Sequence, residues 1–457
     1  MMRRPLKKSS LLNRLDMFFH SPFYVVLITM IGIIGLYFHE EVLTIFILAI
    51  IMSFSWLTTK DILPSFLLIS AIALIALRIP RTEGREALVD ISLLYSTPFF
   101  VLPAFIIKMV IHPFTFKRGF FFYPTLAVAI AVTIGGIFVM PIEAYIELRT
   151  LYHMFFLGVG MVFIYFVLER YLVTYKGIGD YFSWMMVGLG IMGVFMLGLA
   201  YYEKYYDIAM FESRTRMQWG NNLSNNLLLT MPFAFYLASK GKYTAGFICV
   251  GLLQILALLF STSRGGVIFG MMMIPLVLIS TFYIAKHQRL KFLTIMVIFG
   301  GIFYFAILTI VGSFTPLYEE VRTLLTVSNT EARAELYKLA IKNFLKYPMF
   351  GTGIGFDTSP YYTPATMSMY WYHSTFFQII GSLGIIGVAA YVYQEVMRLY
   401  QLIRVKHAFN LFVFLSLIGF SAYSMVNVGY FAPLPFVAML VTMFMVVERH
   451  NEVVKQA

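Results

Sequence analysis

Residues 182–200, FSWMMVGLGIMGVFMLGLA, decide the class of this protein. The stretch has no charged side chain, and a helix needs about 20 mostly apolar residues to cross the hydrocarbon core of a bilayer. It has no polar stripe for water, as a surface helix of a soluble protein would have. It therefore predicts a membrane-spanning helix.

The composition of the whole chain agrees. Of its 457 residues 60% are hydrophobic and 12% charged, with 46 Phe and 30 Tyr, whereas about 25% of a soluble domain is charged. This excludes a cytoplasmic enzyme, a secreted disulfide scaffold and a disordered protein. The single cysteine leaves no basis for a disulfide or a cysteine metal cluster.

Apolar segments recur along the full length of the chain. They predict an all-α polytopic membrane protein with about 14 transmembrane helices, in the range 12 to 14, forming one membrane domain over 1–457. The candidate segments are 23–38, 42–57, 62–77, 91–107, 120–140, 151–168, 182–200, 223–238, 243–260, 265–285, 292–311, 374–396, 411–425 and 433–447.

The loop charges predict the orientation. With both termini cytoplasmic, 21 of the 34 Lys and Arg lie inside and 13 outside, whereas 7 acidic residues lie inside and 15 outside. This matches the positive-inside rule. The net charge of +12 is thereby explained by the bilayer, and no nucleic-acid partner is expected.

Two predicted external loops are long, 201–222 and 312–373. The predicted helices carry almost no ionisable residues away from their ends, whereas transporters and proton relays place such groups near the midplane. Chemistry is therefore expected at the external face, under a helical cap formed by the larger loop.

Arg264 lies between two predicted helices, in the motif STSRGG at residues 261–266. An arginine in the hydrocarbon costs up to roughly 2.5 to 3.5 kcal/mol at the bilayer centre, and no acidic residue is near it in sequence. A phosphate would offset the cost, because guanidinium matches its oxygens and a helix start favours anions. We expect Arg264 and Ser263 to bind such a ligand; the alternative is an arginine that extends to the interface.

The larger loop contains a predicted amphipathic helix, NTEARAELYKLAIKNFLK at 329–346. At 100° per residue its charges share one face, except Arg333, which falls on the opposite face with Leu336, Tyr337 and Ala340. A lone arginine in an apolar stripe needs a partner where the helix docks. We expect Arg333 to point into the membrane domain; the alternative is a structural salt bridge.

His373 begins the twelfth predicted helix, after Tyr370, Trp371 and Tyr372. Aromatic side chains stack on sugar rings, and a histidine beside them could act as a general base. A packed histidine is the alternative. Tyr337 and Tyr372 are further candidates for contact with a glycan.

Other external arginines add to the candidates for an anion site. They are Arg78, Arg81, Arg85 and Arg216. The alternative for each is a solvated loop charge or a partner for a nearby glutamate.

Several catalytic motifs are missing from the sequence. The chain has no Asp-x-Asp, His-Glu-x-x-His, Gly-x-Ser-x-Gly or Walker motif. We therefore expect no metal and no cofactor. The glycine-rich turn FGTGIGF at 350–356 follows no strand, and it predicts a tight return of the chain rather than a nucleotide site.

The order of these features resembles the O-antigen ligase and O-antigen polymerase superfamily. The matching features are Ser-x-Ser-Arg-Gly at a helix start, Arg-x-x-x-Tyr and Tyr-Pro-x-x-Gly-x-Gly in a large loop, and an aromatic-flanked histidine before a glycine-rich helix, over 261–387. Asn222 and Asn225 resemble the asparagine-bearing segment of the family.

This resemblance implies a GT-C-like, inverting, metal-independent glycosyltransferase in the bacterial plasma (inner) membrane, active at the periplasmic face. Its donor would be a glycan on undecaprenyl diphosphate, its acceptor a glycan or a lipid core, and envelope-polysaccharide assembly proteins its partners. By motif position, Arg264 and Arg333 would hold the diphosphate and His373 would assist the acceptor hydroxyl. An arginine of an early external loop would complete the site.

Two other functions remain open at this point. A flippase for lipid-linked oligosaccharides would also expose basic residues to a lipid diphosphate, but it needs a cationic path across the midplane. A non-catalytic scaffold predicts that loss of Arg333 or His373 leaves glycan assembly unchanged.

Overall fold

The computed structural model describes residues 10–79, 93–113, 116–139, 142–146, 148–214, 219–261, 263–313, 330–354 and 372–456. Over these ranges the regular secondary structure is helical. A membrane imposes this, because helices satisfy every backbone hydrogen bond within the segment. The predicted all-α class is confirmed for this part of the chain.

Most helices run the length of a predicted apolar segment. They are α1 (Ser10–Phe19), α2 (Pro22–Tyr37), α3 (Glu41–Thr58), α4 (Leu63–Ala76), α5 (Pro98–Ile111), α6 (Phe122–Ile134), α7 (Ile142–Tyr145), α8 (Leu148–Met154), α9 (Gly160–Tyr171), α10 (Ile178–Tyr206), α11 (Ile208–Arg214), α12 (Trp219–Ser239), α13 (Thr244–Leu259), α14 (Arg264–Ile284), α15 (Arg289–Ser313), α16 (Thr330–Lys346), α17 (Thr375–Ile403), α18 (Ala408–Ser424) and α19 (Ala438–Gln456).

Seven helices of the described chain are long and apolar enough to cross a membrane, and the pair α1 and α2, bent by 65°, gives up to eight. Four shorter apolar helices, of 10 to 17 residues, accompany them. The predicted total of 12 to 14 spans stays a prediction. The seven are Glu41–Thr58, Leu93–Ile111, Thr150–Tyr171, Ile178–Tyr206, Arg264–Ile284, Thr375–Ile403 and Pro433–Gln456.

Helix α10, which contains the opening stretch, lies at the centre of the bundle and packs against α2, α4, α12, α13 and α19. Its glycines allow close approach. A Cβ added at Gly188 would lie 2.6 Å from Thr29 Oγ1, and one at Gly193 would lie 2.7 Å from Asn226 Nδ2. Membrane helices associate through such close packing, because lipid supplies no hydrophobic driving force between them.

Helix α17 is broken at Gly384, whose φ of 63° and ψ of −156° are non-helical. Segment 348–353, which is rich in glycine, supplies hydrogen-bond partners for the backbone groups that the break leaves without a helical partner. Ile385 N donates to Pro348 O at 2.8 Å, and Thr352 N and Gly353 N donate to the carbonyls of residues 381 and 382, both at 2.9 Å. Through these bonds, segment 348–353 of the larger loop is anchored at the break in α17.

Only glycine fits at the contact between the turn and α17. A Cβ added at Gly351 would lie 2.3 Å from the carbonyl carbon of Ser382, and one at Gly384 would lie 2.4 Å from Pro348 O. Both residues have positive φ, which glycine adopts without steric cost. The tight return predicted for this stretch has its physical reason here.

Candidate functional site

The last two residues of α18 and the four that follow, 423–428, form a polar surface at one end of the bundle; we call this segment the 423–428 turn. Its fold is set locally: Val426 N donates to Tyr423 O at 3.0 Å, and Val428 N donates to Asn427 Oδ1 at 2.8 Å. Asn427 Nδ2 also donates to Tyr423 Oη at 3.1 Å. These bonds leave the main-chain carbonyls of Val426 and Asn427 as acceptors for other parts of the chain.

Helix α14, which begins at Arg264, packs against this turn. Ser263 caps it, because its Oγ accepts from Gly266 N at 3.3 Å. The same Oγ lies 2.8 Å from Tyr423 Oη and donates to Asn221 Oδ1 at 3.0 Å. The hydroxyl predicted at this helix start is thus buried in a polar network, whereas the Arg264 side chain is exposed.

Gly265 brings the start of α14 against the turn. A Cβ added there would lie 2.8 Å from both Tyr423 Cε2 and Val426 Cγ2. A larger residue would separate the helix from the turn. The helix start that carries Arg264 therefore packs against the turn through Gly265, and the Arg264 side chain is exposed.

Arg333 reaches the same residue from α16. Its Nη1 donates to Val426 O at 3.3 Å, and the side chain is partly buried. The opposite face of α16 is open to water: Lys338 and Glu335 pair at 2.8 Å with side chains 72% and 71% exposed. Arg333 is thus on the face that packs against the bundle.

Helix α16 is held on α17 by aromatic and small residues. Tyr337 stacks on Phe377 with ring centroids 4.2 Å apart and an interplanar angle of 14°. Ala340 is fully buried, and its Cα would be 3.3 Å from a Cβ at Gly381. This docking fixes where Arg333 can reach.

His373 lies at the start of α17 and is tied to the turn two residues later. Thr375 N and Oγ1 donate to Asn427 O at 2.9 and 3.2 Å. His373 itself has a positive φ of 53°, a conformation uncommon for residues other than glycine and often kept for a functional reason. Burial, and then the nearby Arg333 guanidinium, lower the pKa of His373 below its ordinary 6.5.

Tyr372 is buried, with 2% of its surface exposed. Its hydroxyl accepts from Asn343 Nδ2 at 2.8 Å, and its backbone N donates to Gln378 Oε1 at 3.0 Å. These bonds connect α16, the residue before His373 and α17. In the structure Tyr372 therefore supports the site, and its contact with a glycan stays a prediction.

Of the other predicted arginines the structure describes Arg78, which pairs with a residue outside the turn. Arg78 follows α4, is 2% exposed and forms a buried ion pair with Glu203 of α10. His39 Nδ1 lies 3.8 Å from the same carboxylate. Arg81, Arg85 and Arg216 lie outside the described residues.

Sequence reasoning missed three polar residues of the network, Asn221, Tyr423 and Asn427. Tyr423 Oη donates to Asn221 Oδ1 at 2.9 Å. A signal existed for Asn221, which neighbours the asparagines already singled out, although the resemblance pointed to Asn222 and Asn225. Tyr423 carried none, since an aromatic residue in an apolar helix is ordinarily packing.

The comparison with protein families adds an independent observation. Residues 249–392 match the family described as O-antigen ligase. This segment is similar to the O-antigen ligase family. The predicted resemblance is confirmed, and the matched ligase-family segment includes Arg264, Arg333 and His373.

The family and the apolar helices identify a membrane protein of polysaccharide biosynthesis, of the O-antigen ligase or polymerase type. No curated protein matches the chain. The 423–428 turn lies downstream of the ligase-family segment, so the structure adds a part of the site that the match does not cover.

Proposed function

We propose that the protein is a membrane glycosyltransferase that moves a glycan from undecaprenyl diphosphate to an acceptor hydroxyl. The acceptor is either a growing polysaccharide or a lipid core, so the enzyme is an O-antigen-type polymerase or ligase. Transfer inverts the configuration of the sugar and uses no metal. The site faces the periplasm in the plasma membrane, with both termini in the cytoplasm.

The convergence of three elements on the 423–428 turn carries this proposal. Arg333 donates to Val426 O, Gly265 next to Arg264 packs on Val426, and Thr375 near His373 donates to Asn427 O. Arg333 itself, and the helix starts that carry Arg264 and His373, therefore border the same turn, which supports a shared role for these three residues.

The two arginines suit a diphosphate leaving group. As the bond between sugar and phosphate breaks, negative charge grows on the phosphate oxygen. Fixed guanidinium groups stabilise that charge more in the transition state than in the ground state. Each charge-assisted hydrogen bond contributes roughly 1.5 to 3 kcal/mol. The first turn of α14 adds backbone N–H groups and the positive end of a helix dipole.

His373 suits the role of general base. Its lowered pKa keeps the imidazole neutral near pH 7, ready to take the proton of the acceptor hydroxyl. The positive charge of Arg333 disfavours the imidazolium form of His373. A bound diphosphate would compensate that arginine, so proton transfer becomes easier once the donor is in place. The hydroxyl then attacks the anomeric carbon opposite the leaving phosphate.

An early-loop arginine completes the proposed site. Arg78 already has its charge compensated by Glu203, which favours Arg81 or Arg85 for this role. Ser263, Tyr337, Tyr372 and Arg216 stay candidates for contact with the diphosphate or the glycan. Envelope-polysaccharide assembly proteins are the proposed partners.

The test is transfer by the purified protein. A synthetic glycan on polyprenyl diphosphate is offered together with a second such glycan or with a lipid-anchored core. Elongation of the glycan identifies a polymerase, and capture by the core identifies a ligase. Movement of the intact donor across a vesicle membrane without transfer would contradict the proposal and favour the flippase.

A further inference from the structure

An apolar groove of about 430 Å3 lies between α17 and α18. Its described lining is mostly hydrocarbon, and Glu395 is the one charged side chain in it. One wall is formed by side chains that are about half exposed, 49% for Phe376, 55% for Val392 and 54% for Val396. The groove therefore opens sideways, toward the surrounding lipid.

The groove begins at the site. Thr375 and Met425 both line it. Thr375 donates to Asn427 O, and Met425 directly precedes Val426, the residue whose carbonyl accepts from Arg333. A ligand with its anionic head group at the 423–428 turn would therefore contact the apolar groove directly beside that head group.

Two other apolar grooves of the described surface lack this continuity. One, of about 430 Å3, lies between the far ends of α17 and α18, and its lining includes Ile403 and His407. Another, of about 260 Å3, is lined by residues such as Trp56 and Phe105. No residue of the 423–428 turn or of 372–375 is among the described lining of either.

We infer that the groove between α17 and α18 binds the first isoprenoid units of the donor's polyprenyl tail. The inference rests on the proposed function. The occupant is a hydrocarbon covalently continuous with the diphosphate, because the groove starts beside the carbonyl that accepts from Arg333. Its volume lies within the roughly 300 to 1,000 Å3 of small-molecule pockets, so it holds the part of the tail next to the head.

The groove acts on position more than on affinity. A tail that leaves lipid for the groove exchanges one hydrocarbon for another and gains little from the hydrophobic effect. A tail held in one direction, however, fixes the diphosphate relative to the arginines, and misplacement of reacting groups by about 1 Å can cost 100-fold in rate.

Val392→Trp tests the inference, because it fills the groove from a half-exposed position on its outer wall. Ile403→Trp is the matched control: it lies on the same helix, is 69% exposed and lines the other groove. Each variant is assayed with one glycan diphosphate on a long polyprenol and on a short, water-soluble isoprenol. Val396→Trp serves if Val392→Trp is not stable in detergent.

We expect Val392→Trp to lower kcat/KM for the long-tailed donor by roughly 10-fold, with kcat/KM for the short donor unchanged and Ile403→Trp normal with both. Equal losses with both donors, or none with the long one, would overturn the groove assignment. A wild-type protein inactive with every polyprenyl-diphosphate glycan would instead overturn the function on which the inference rests.

Discussion

At the scale of single residues, Arg264 and Arg333 have different surroundings, although the helices that carry them border the same turn. Arg333 is partly buried and anchored on Val426 O. Arg264 is exposed and forms no ion pair with a residue that the structure describes. In the proposed mechanism Arg333 therefore binds the diphosphate from a fixed position, and the Arg264 guanidinium binds it through two parallel hydrogen bonds.

Arg264→Lys tests the proposed two-point contact between the Arg264 guanidinium and the phosphate. Lysine keeps the charge but loses the planar, two-point geometry, so we expect kcat/KM to fall by at least about 10-fold, the equivalent of one charge-assisted hydrogen bond. Lys342→Gln on the exposed face of α16 should leave kcat/KM unchanged. Near-normal turnover by Arg264→Lys would remove the two-point contact from the mechanism.

The proposed role of His373 as general base predicts how kcat/KM depends on pH. Only the neutral imidazole accepts a proton, so kcat/KM falls as the pH drops through the pKa of His373. Burial and Arg333 lower that pKa, so the acid limb should have its midpoint below pH 6.5, the ordinary value. Removal of the base by His373→Ala should cost roughly 100- to 10,000-fold.

Arg333→Gln separates the two causes of the low pKa. It removes the positive charge beside His373, so the acid limb of its residual activity should move to higher pH, whereas Lys342→Gln should leave the limb in place. An unshifted limb in Arg333→Gln would show that the two groups do not interact. A scaffold protein, by contrast, would show no effect of Arg333→Gln or His373→Ala on glycan assembly.

At the scale of elements, the break in α17 links the larger loop to the bundle. The glycine-rich turn at 348–353 supplies the acceptor for Ile385 N and donates to residues 381 and 382. This places the end of α16 and the start of α17 side by side. The relative position of Arg333 and His373 therefore depends on an element that touches no substrate in the proposed mechanism.

Gly384→Ala should be strongly destabilising. The positive φ disfavours any side chain by about 1 to 3 kcal/mol, and the new Cβ would meet Pro348 O at 2.4 Å. We expect a lower Tm in detergent and reduced transfer. Gly300→Ala is the control, since a Cβ there meets nothing within 4 Å and alanine favours a helix. An unchanged Tm for Gly384→Ala would contradict the description of the break.

At the scale of the whole molecule, α17 offers a direct test of orientation. Lys342 lies on α16, which packs beside the start of α17, and Lys406 lies just after the end of α17; both lysines are exposed. Each is replaced by cysteine. In a Cys249→Ser background, an impermeant maleimide should label Lys342→Cys in intact cells, and Lys406→Cys only after permeabilisation. The reverse pattern would contradict the periplasmic site and the predicted positive-inside topology.

The sequence predicted what local patterns encode. Long apolar runs predicted membrane helices, a serine before Arg264 suggested a helix start, and the 100° period put Arg333 on the face opposite the charges. It could not predict the 423–428 turn, because the bond from Arg333 to Val426 joins residues 93 positions apart. Nor could it pair Arg78 with Glu203, 125 positions away. Such contacts depend on how helices assemble, which periodicity does not encode.

The 423–428 turn lies downstream of residues 249–392, so the ligase-family segment does not contain the carbonyls on which Arg333 and Thr375 are anchored. A chimera that exchanged this segment alone with another family member would keep both arginines and the histidine, but Arg333 and Thr375 would then meet the carbonyls of a turn from a different protein. Exchange boundaries that run through α18 to residue 428 would transfer the proposed catalytic residues together with the turn on which Arg333 and Thr375 are anchored.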